Sequence, residues 1–158
     1  MNKILPLIAF MLFCLIDFFG IYLDKQMMVN FAKPMLMISL FWYYYSNAKK
    51  LNKYFVLGLF FSFLGDILLL GTGEMYFVFG LLFFLIAHVF YIIIVLKIIQ
   101  ITKPKEFIIA SVPFLLLFLV LMNVLYAGLG AIKIPVIIYA ITISFFGIVS
   151  LILYLKAK

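Results

Sequence analysis

Apolar runs of about 20 residues recur along the whole chain, and they constrain the fold more than any other feature. At about 1.5 Å rise per residue each is long enough to cross a hydrocarbon core roughly 30 Å thick. Six such spans are expected, at about 4–23, 29–46, 54–72, 76–96, 107–125 and 134–155. Barrel strands would alternate polar and apolar residues over about ten positions, and these runs do not. The expected fold class is therefore all-α, a polytopic transmembrane helix bundle forming a single domain over residues 1–158. Composition agrees: 70% of residues are hydrophobic and 11% charged, against about 45–50% and about 25% in a water-soluble domain.

The net charge of +7 comes from twelve Lys, no Arg and five acids. The Lys residues sit mostly in the short segments between runs, where they set orientation and meet anionic headgroups, so nucleic acid is not an expected partner. Lys3, Lys49, Lys50, Lys53, Lys97, Lys103, Lys105, Lys156 and Lys158 fall on one side, and Lys25, Lys33 and Lys133 on the other. By the positive-inside rule both termini are expected in the cytoplasm of a cell with this protein in its inner membrane. Asp17 interrupts the first run and no small-x-small cleavage site follows, so that run reads as a retained helix rather than a secretory signal. Cys14, the single cysteine, excludes an internal disulfide.

Polar groups inside a bilayer are costly and face a protein interior or a wet cavity. Four stand out. Asp66 lies roughly 9 Å below the outer end of the third span, Asp17 at a similar depth in the first, Lys33 about 6 Å down the second, and His88 about 18 Å down the fourth. They are expected to line one cavity narrowing inward. Gly58, Ser62, Gly65 and Asp66 form a small-residue stripe that admits a neighbouring helix. Gly80, Phe84, His88 and Tyr91 share a face of the fourth span. Spacing alone leaves His88 and Tyr91 open to a structural role as a hydrogen-bonded helix pair, and Lys33 to a role as an interfacial anchor. Tyr139 and Thr142 share a face of the sixth span. With one His, a metal site is not expected, and neither is a cofactor; no phosphate loop, nucleophile elbow or HExxH motif occurs.

FAKPMLM at 31–37, FSFLGDILLL at 61–70, FGLLFFLIAHVFYI at 79–92 and PVIIYAITIS at 135–144 resemble, in order and spacing, signatures of the YhhN family of membrane proteins, which includes the lysoplasmalogenases. The resemblance implies a multi-helix fold and hydrolysis of the vinyl ether bond of a lysoplasmalogen to a fatty aldehyde and a glycerophospho-headgroup. On it Lys33, Asp66, His88 and Tyr91 match motif positions, with Asp66 implicated in catalysis. Family members typically have eight helices and an acidic GxxxFxxSD motif in the seventh. Six spans are expected here and no Ser-Asp pair occurs, so the chain is expected to lack the last two helices.

Vinyl ether hydrolysis needs a proton on the β-carbon, then water on the resulting oxocarbenium-like cation. A carboxyl group in an apolar pocket suits the first step, because desolvation penalises its charged form. Asp66, His88 and Tyr91 are thus the expected catalytic residues, with Asp66 as proton donor and no direct contact to Lys33. Lys33, Asp17 and Tyr139 are the expected substrate-binding residues, and the expected partner is a lysophospholipid-like membrane lipid. Asp17 is also deep enough to stand in for a second carboxylate. The alternatives are a lipid-binding or transport-like bundle without catalysis, and an inactive truncated family member.

Overall fold

The computed structural model describes residues 4–99 and 103–157; Lys3 and Lys158, which entered the charge argument, lie outside them. The described residues form six α-helices: α1 (Leu5–Tyr22), α2 (Gln26–Asn47), α3 (Lys53–Leu69), α4 (Glu74–Ile98), α5 (Pro104–Leu125) and α6 (Lys133–Lys156). Every expected run is helical. Four of the stretches are long and apolar enough to cross a membrane: Leu5–Tyr22, Glu74–Ile98, Pro104–Gly128 and Gly130–Lys156. The other two fall short for separate reasons. α2 carries Gln26, Asn30, Lys33 and Pro34 in its first three turns, and α3 has 17 residues, the lower end of the range for a spanning helix.

Local chemistry sets the helix ends. Asp24, at φ 52°, occupies the left-handed position that closes α1. There the Lys25 N–H reaches the Gly20 carbonyl at 2.8 Å and the Asp24 N–H reaches that of Ile21 at 3.2 Å, the Schellman pairing that satisfies terminal carbonyls. Asn52 caps α3, its Oδ1 accepting from the Tyr54 N–H at 3.0 Å, while its own N–H donates to the Tyr44 hydroxyl at 2.8 Å. α3 stops at Leu69, three residues short of the expected 72, because Gly71-Thr72-Gly73 makes the turn, with Gly73 at φ 104°. Glu74 then opens α4, where its charge meets the positive end of the helix dipole.

The helices pack as a row rather than a closed ring: α1 on α2, α2 on α3, α3 on α4, α4 on α6 and α6 on α5. Small residues let them approach. A Cβ on Gly20 would come within 3.0 Å of Met28 Cβ and Val29 Cγ2, and one on Gly65 within 3.2 Å of the Gly80 carbonyl oxygen. Ala32, Leu59, Ala87, Ala110, Val149 and Ile152 make up most of a thin core. Outside it the surface is covered with exposed Leu, Ile, Phe and Val, reaching 72% exposure at Val124, a surface matched to hydrocarbon and not to water. On the side of the bundle that carries the α2–α3 and α4–α5 connections, Lys97 Nζ lies 4.1 Å from the Tyr54 ring centre, and Lys156 pairs with Glu106 at 3.4 Å.

Candidate functional site

Hairpin register brings three of the expected polar residues to one level. α1 and α2 run antiparallel with Gly20 against Met28 and Val29, which sets Asp17 beside the Ala32–Lys33 turn. α2 and α3 are also antiparallel, with Tyr44 against Phe55 at 4.4 Å between ring centres. Eleven residues back along α2 and eleven forward along α3 are Lys33 and Asp66, so these two face the same level. Asp66 accordingly lies within electrostatic reach of both Lys33 and Asp17, and it makes no direct ion pair with Lys33. All three side chains are half-buried. Asp17 Oδ1 is fully buried and has no hydrogen-bond partner. An unpaired carboxylate oxygen in an apolar bundle is costly, so this atom calls for a proton, a cation or a ligand.

Asp17, Lys33, Asp66 and His88, expected around one cavity, lie at two levels of the bundle. Gly65 faces Gly80 and Gly58 faces Tyr91 across α3 and α4, which places Asp66 opposite Phe79. His88 is nine residues further along α4, roughly 13 Å away along the axis. There its Nδ1–H donates to the Phe84 carbonyl at 2.7 Å. Its ring stands edge-on to Tyr91, Tyr139 and Phe146, with centres at 6.1, 5.6 and 5.5 Å. The reason is the packing partner: the face of α4 bearing His88 meets α6, whereas Asp66 looks toward α2. His88 therefore does not orient Asp66 directly.

Tyr91 and Tyr139 belong to this second level. The Tyr91 ring fills the space left by Gly58 and its hydroxyl lies 3.4 Å from Ser62 Oγ, while Tyr139 reaches the cluster from α6. Thr142 donates to the Ile138 carbonyl at 2.9 Å within its own helix. Phe146, which sequence reasoning did not single out, completes the cluster; its spacing of seven from Tyr139 is the signal that could have found it.

Grooves among the described residues lie between several of the helices. One of about 250 Å³ runs between α2 and α3, lined by Met37, Ile38, Phe41, Val56, Leu59, Phe60 and Phe63. A second, about 220 Å³, lies between α4 and α6 and includes Leu81, Leu85 and Pro135, and a third, about 210 Å³, adjoins Glu106 and Lys156. The first begins one helical turn from the Lys33–Asp66 level.

No protein of curated function and no solved structure matches the chain. A family model does, over residues 28–158, a stretch that takes in Lys33, Asp66, His88, Tyr91 and Tyr139 and leaves Asp17 outside. With the match covering most of the sequence and all but the first of its helices, the chain belongs to the YhhN family.

Proposed function

We propose that the protein is a membrane hydrolase of the lysoplasmalogenase type, cleaving the vinyl ether bond of a single-chain lipid at the level of Asp17, Lys33 and Asp66. The observation that carries this reading is the common level itself: two carboxyl groups and one ammonium in an apolar bundle, with Asp66 free of a direct ion pair. Asp66, in its acid form, gives its proton to the β-carbon as the π electrons form the new C–H bond, leaving an oxocarbenium ion. The Asp17 carboxylate takes a proton from water as the water oxygen bonds to the α-carbon. The hemiacetal then collapses to the aldehyde: its hydroxyl proton returns to Asp66, and Asp17 protonates the departing glycerol oxygen. Lys33 attracts the phosphate of the head. His88, Tyr91 and Tyr139 support this site from the second level by fixing α4 against α3 and α6.

The test is direct detection of aldehyde from lysoplasmalogen by the purified full chain, with ordinary lysophospholipid as the control. Asp66→Asn is expected to cut turnover by at least about 100-fold, the lower end of a general acid's contribution. Undiminished turnover removes Asp66 from the mechanism. The second reading, a lipid-binding bundle without chemistry, is favoured by the separation of His88 from Asp66; saturable lipid binding with no aldehyde release would establish it.

A further inference from the structure

We propose that the groove between α2 and α3 holds the hydrocarbon chain of a single-chain phospholipid whose phosphate-bearing head lies at Lys33. The walls are apolar, with Met37, Ile38 and Phe41 from α2 and Val56 and Phe63 from α3, and Leu59 forms a floor that is 5% exposed. The groove is continuous with the polar level: Met37 is one turn from Lys33, and Phe63 is three residues from Asp66. Beyond the groove, toward the α2–α3 connection, the two helices meet: the Tyr44 ring packs 4.4 Å from that of Phe55 and the Tyr44 hydroxyl accepts from the Asn52 N–H at 2.8 Å. From Asp66 to Phe55 is eleven residues of helix, roughly 16 Å. An apolar groove about 250 Å³ in volume that begins one turn from a cation suits one hydrocarbon chain of a lipid with a charged head.

The charge pattern selects the head. Lys33 is the cation at the mouth and complements a phosphate, whereas a fatty alcohol or hydrocarbon would leave it unpartnered. The chain would then run inward with its first carbons beside Asp66. That last placement rests on the hydrolase reading above; occupancy of the groove does not require it.

The experiment uses the full chain in nanodiscs of unbrominated diacyl phospholipid, titrated with an ester-linked lysophospholipid brominated along its chain. Trp42 is the one tryptophan, so Trp42→Phe gives a dark background. Into it Phe60→Trp places a reporter on the groove, and Leu116→Trp places a control on α5, away from the groove and the polar level; the parent residues are 52% and 59% exposed. Quenching at the groove is expected to saturate, at a lipid mole fraction at least about tenfold below that needed at the control. Unbrominated lysophospholipid should reverse it, and Leu59→Phe, which fills the floor, should abolish the saturable part. Ile38→Trp reads the opposite wall if Phe60→Trp does not fold. Equal, unsaturated quenching at groove and control would overturn the proposal, as would quenching that diacyl lipid reverses equally well. Because the probe has no vinyl ether, a saturating groove in a protein that releases no aldehyde upholds the chain site and removes only the hydrolase reading. Aldehyde release with an unsaturated groove does the reverse.

Discussion

Gly65→Ala tests the close approach of α3 and α4 beside the polar level. The added Cβ would lie 2.8 Å from both Cδ2 and Cε2 of Phe84 and 3.2 Å from the Gly80 carbonyl oxygen. The ring could turn, but the carbonyl is helix backbone and can yield only if the helices separate. Overpacking of this kind costs about 1–3 kcal/mol, and the better helix propensity of Ala returns about 1 kcal/mol. Because the obstruction includes backbone, the net loss is expected at about 1–2 kcal/mol, a change of roughly 5- to 30-fold in the folded-to-unfolded ratio. Gly80→Ala meets the flexible end of Leu69 at 2.7 Å and backbone at 3.3 Å, so it should cost less. Gly128→Ala meets nothing within 4 Å and should be neutral. Reversible unfolding in mixed micelles, followed by far-ultraviolet circular dichroism, measures all three. A Gly65→Ala protein as stable as Gly128→Ala would refute the backbone approach on which the α3–α4 register, and hence the separation of Asp66 from His88, is built.

Other outcomes follow from the geometry. His88→Phe keeps the edge-on ring contacts with Tyr91, Tyr139 and Phe146 while losing the Nδ1–H bond to Phe84, so aldehyde release should fall far less than in Asp66→Asn; an equal loss would make His88 part of the chemistry. Asn52→Ala removes the cap on α3 and should cost about 1 kcal/mol in the same unfolding assay. Asp24→Gly relieves a left-handed backbone and should stabilise by a few tenths to about 1 kcal/mol, whereas Asp24→Val should destabilise.

The helices were legible because long apolar runs alternate with connections that are polar or glycine-rich, although only four of the stretches are long and apolar enough to cross a membrane. The close approach of a helix to α3 was legible too, since Gly58, Ser62 and Gly65 recur at helical spacing and all three are buried, but not that α4 is the one that meets them. The end of α3 was not: Leu70 is as apolar as Leu69, and only the turn geometry at Gly73 separates them. The shared level of Asp17, Lys33 and Asp66 was half legible, through depth counted from each turn. The partner of His88 was not legible, because periodicity reports which residues share a face, as His88 and Tyr91 do, and not which helix that face meets. Nothing local in the sequence indicates that α4 neighbours α6 rather than α5, so the spacing of Phe146 from Tyr139 gave a shared face without a partner for it. The α2–α3 groove depends on the angle between two helices, which no run of residues encodes.

The row order of the helices has a consequence for synthesis. Contacts between α1 and α2, α2 and α3, and α3 and α4 all join neighbours in the chain, so they can form as each segment emerges from the ribosome. The carboxyl pair and the groove are thus assembled within the first two hairpins. α5 comes next and docks once α6 arrives, because its main packing partner is α6. Its docking is therefore the late step of biogenesis, and damage there should reach the chemistry only through the aromatic cluster on α6.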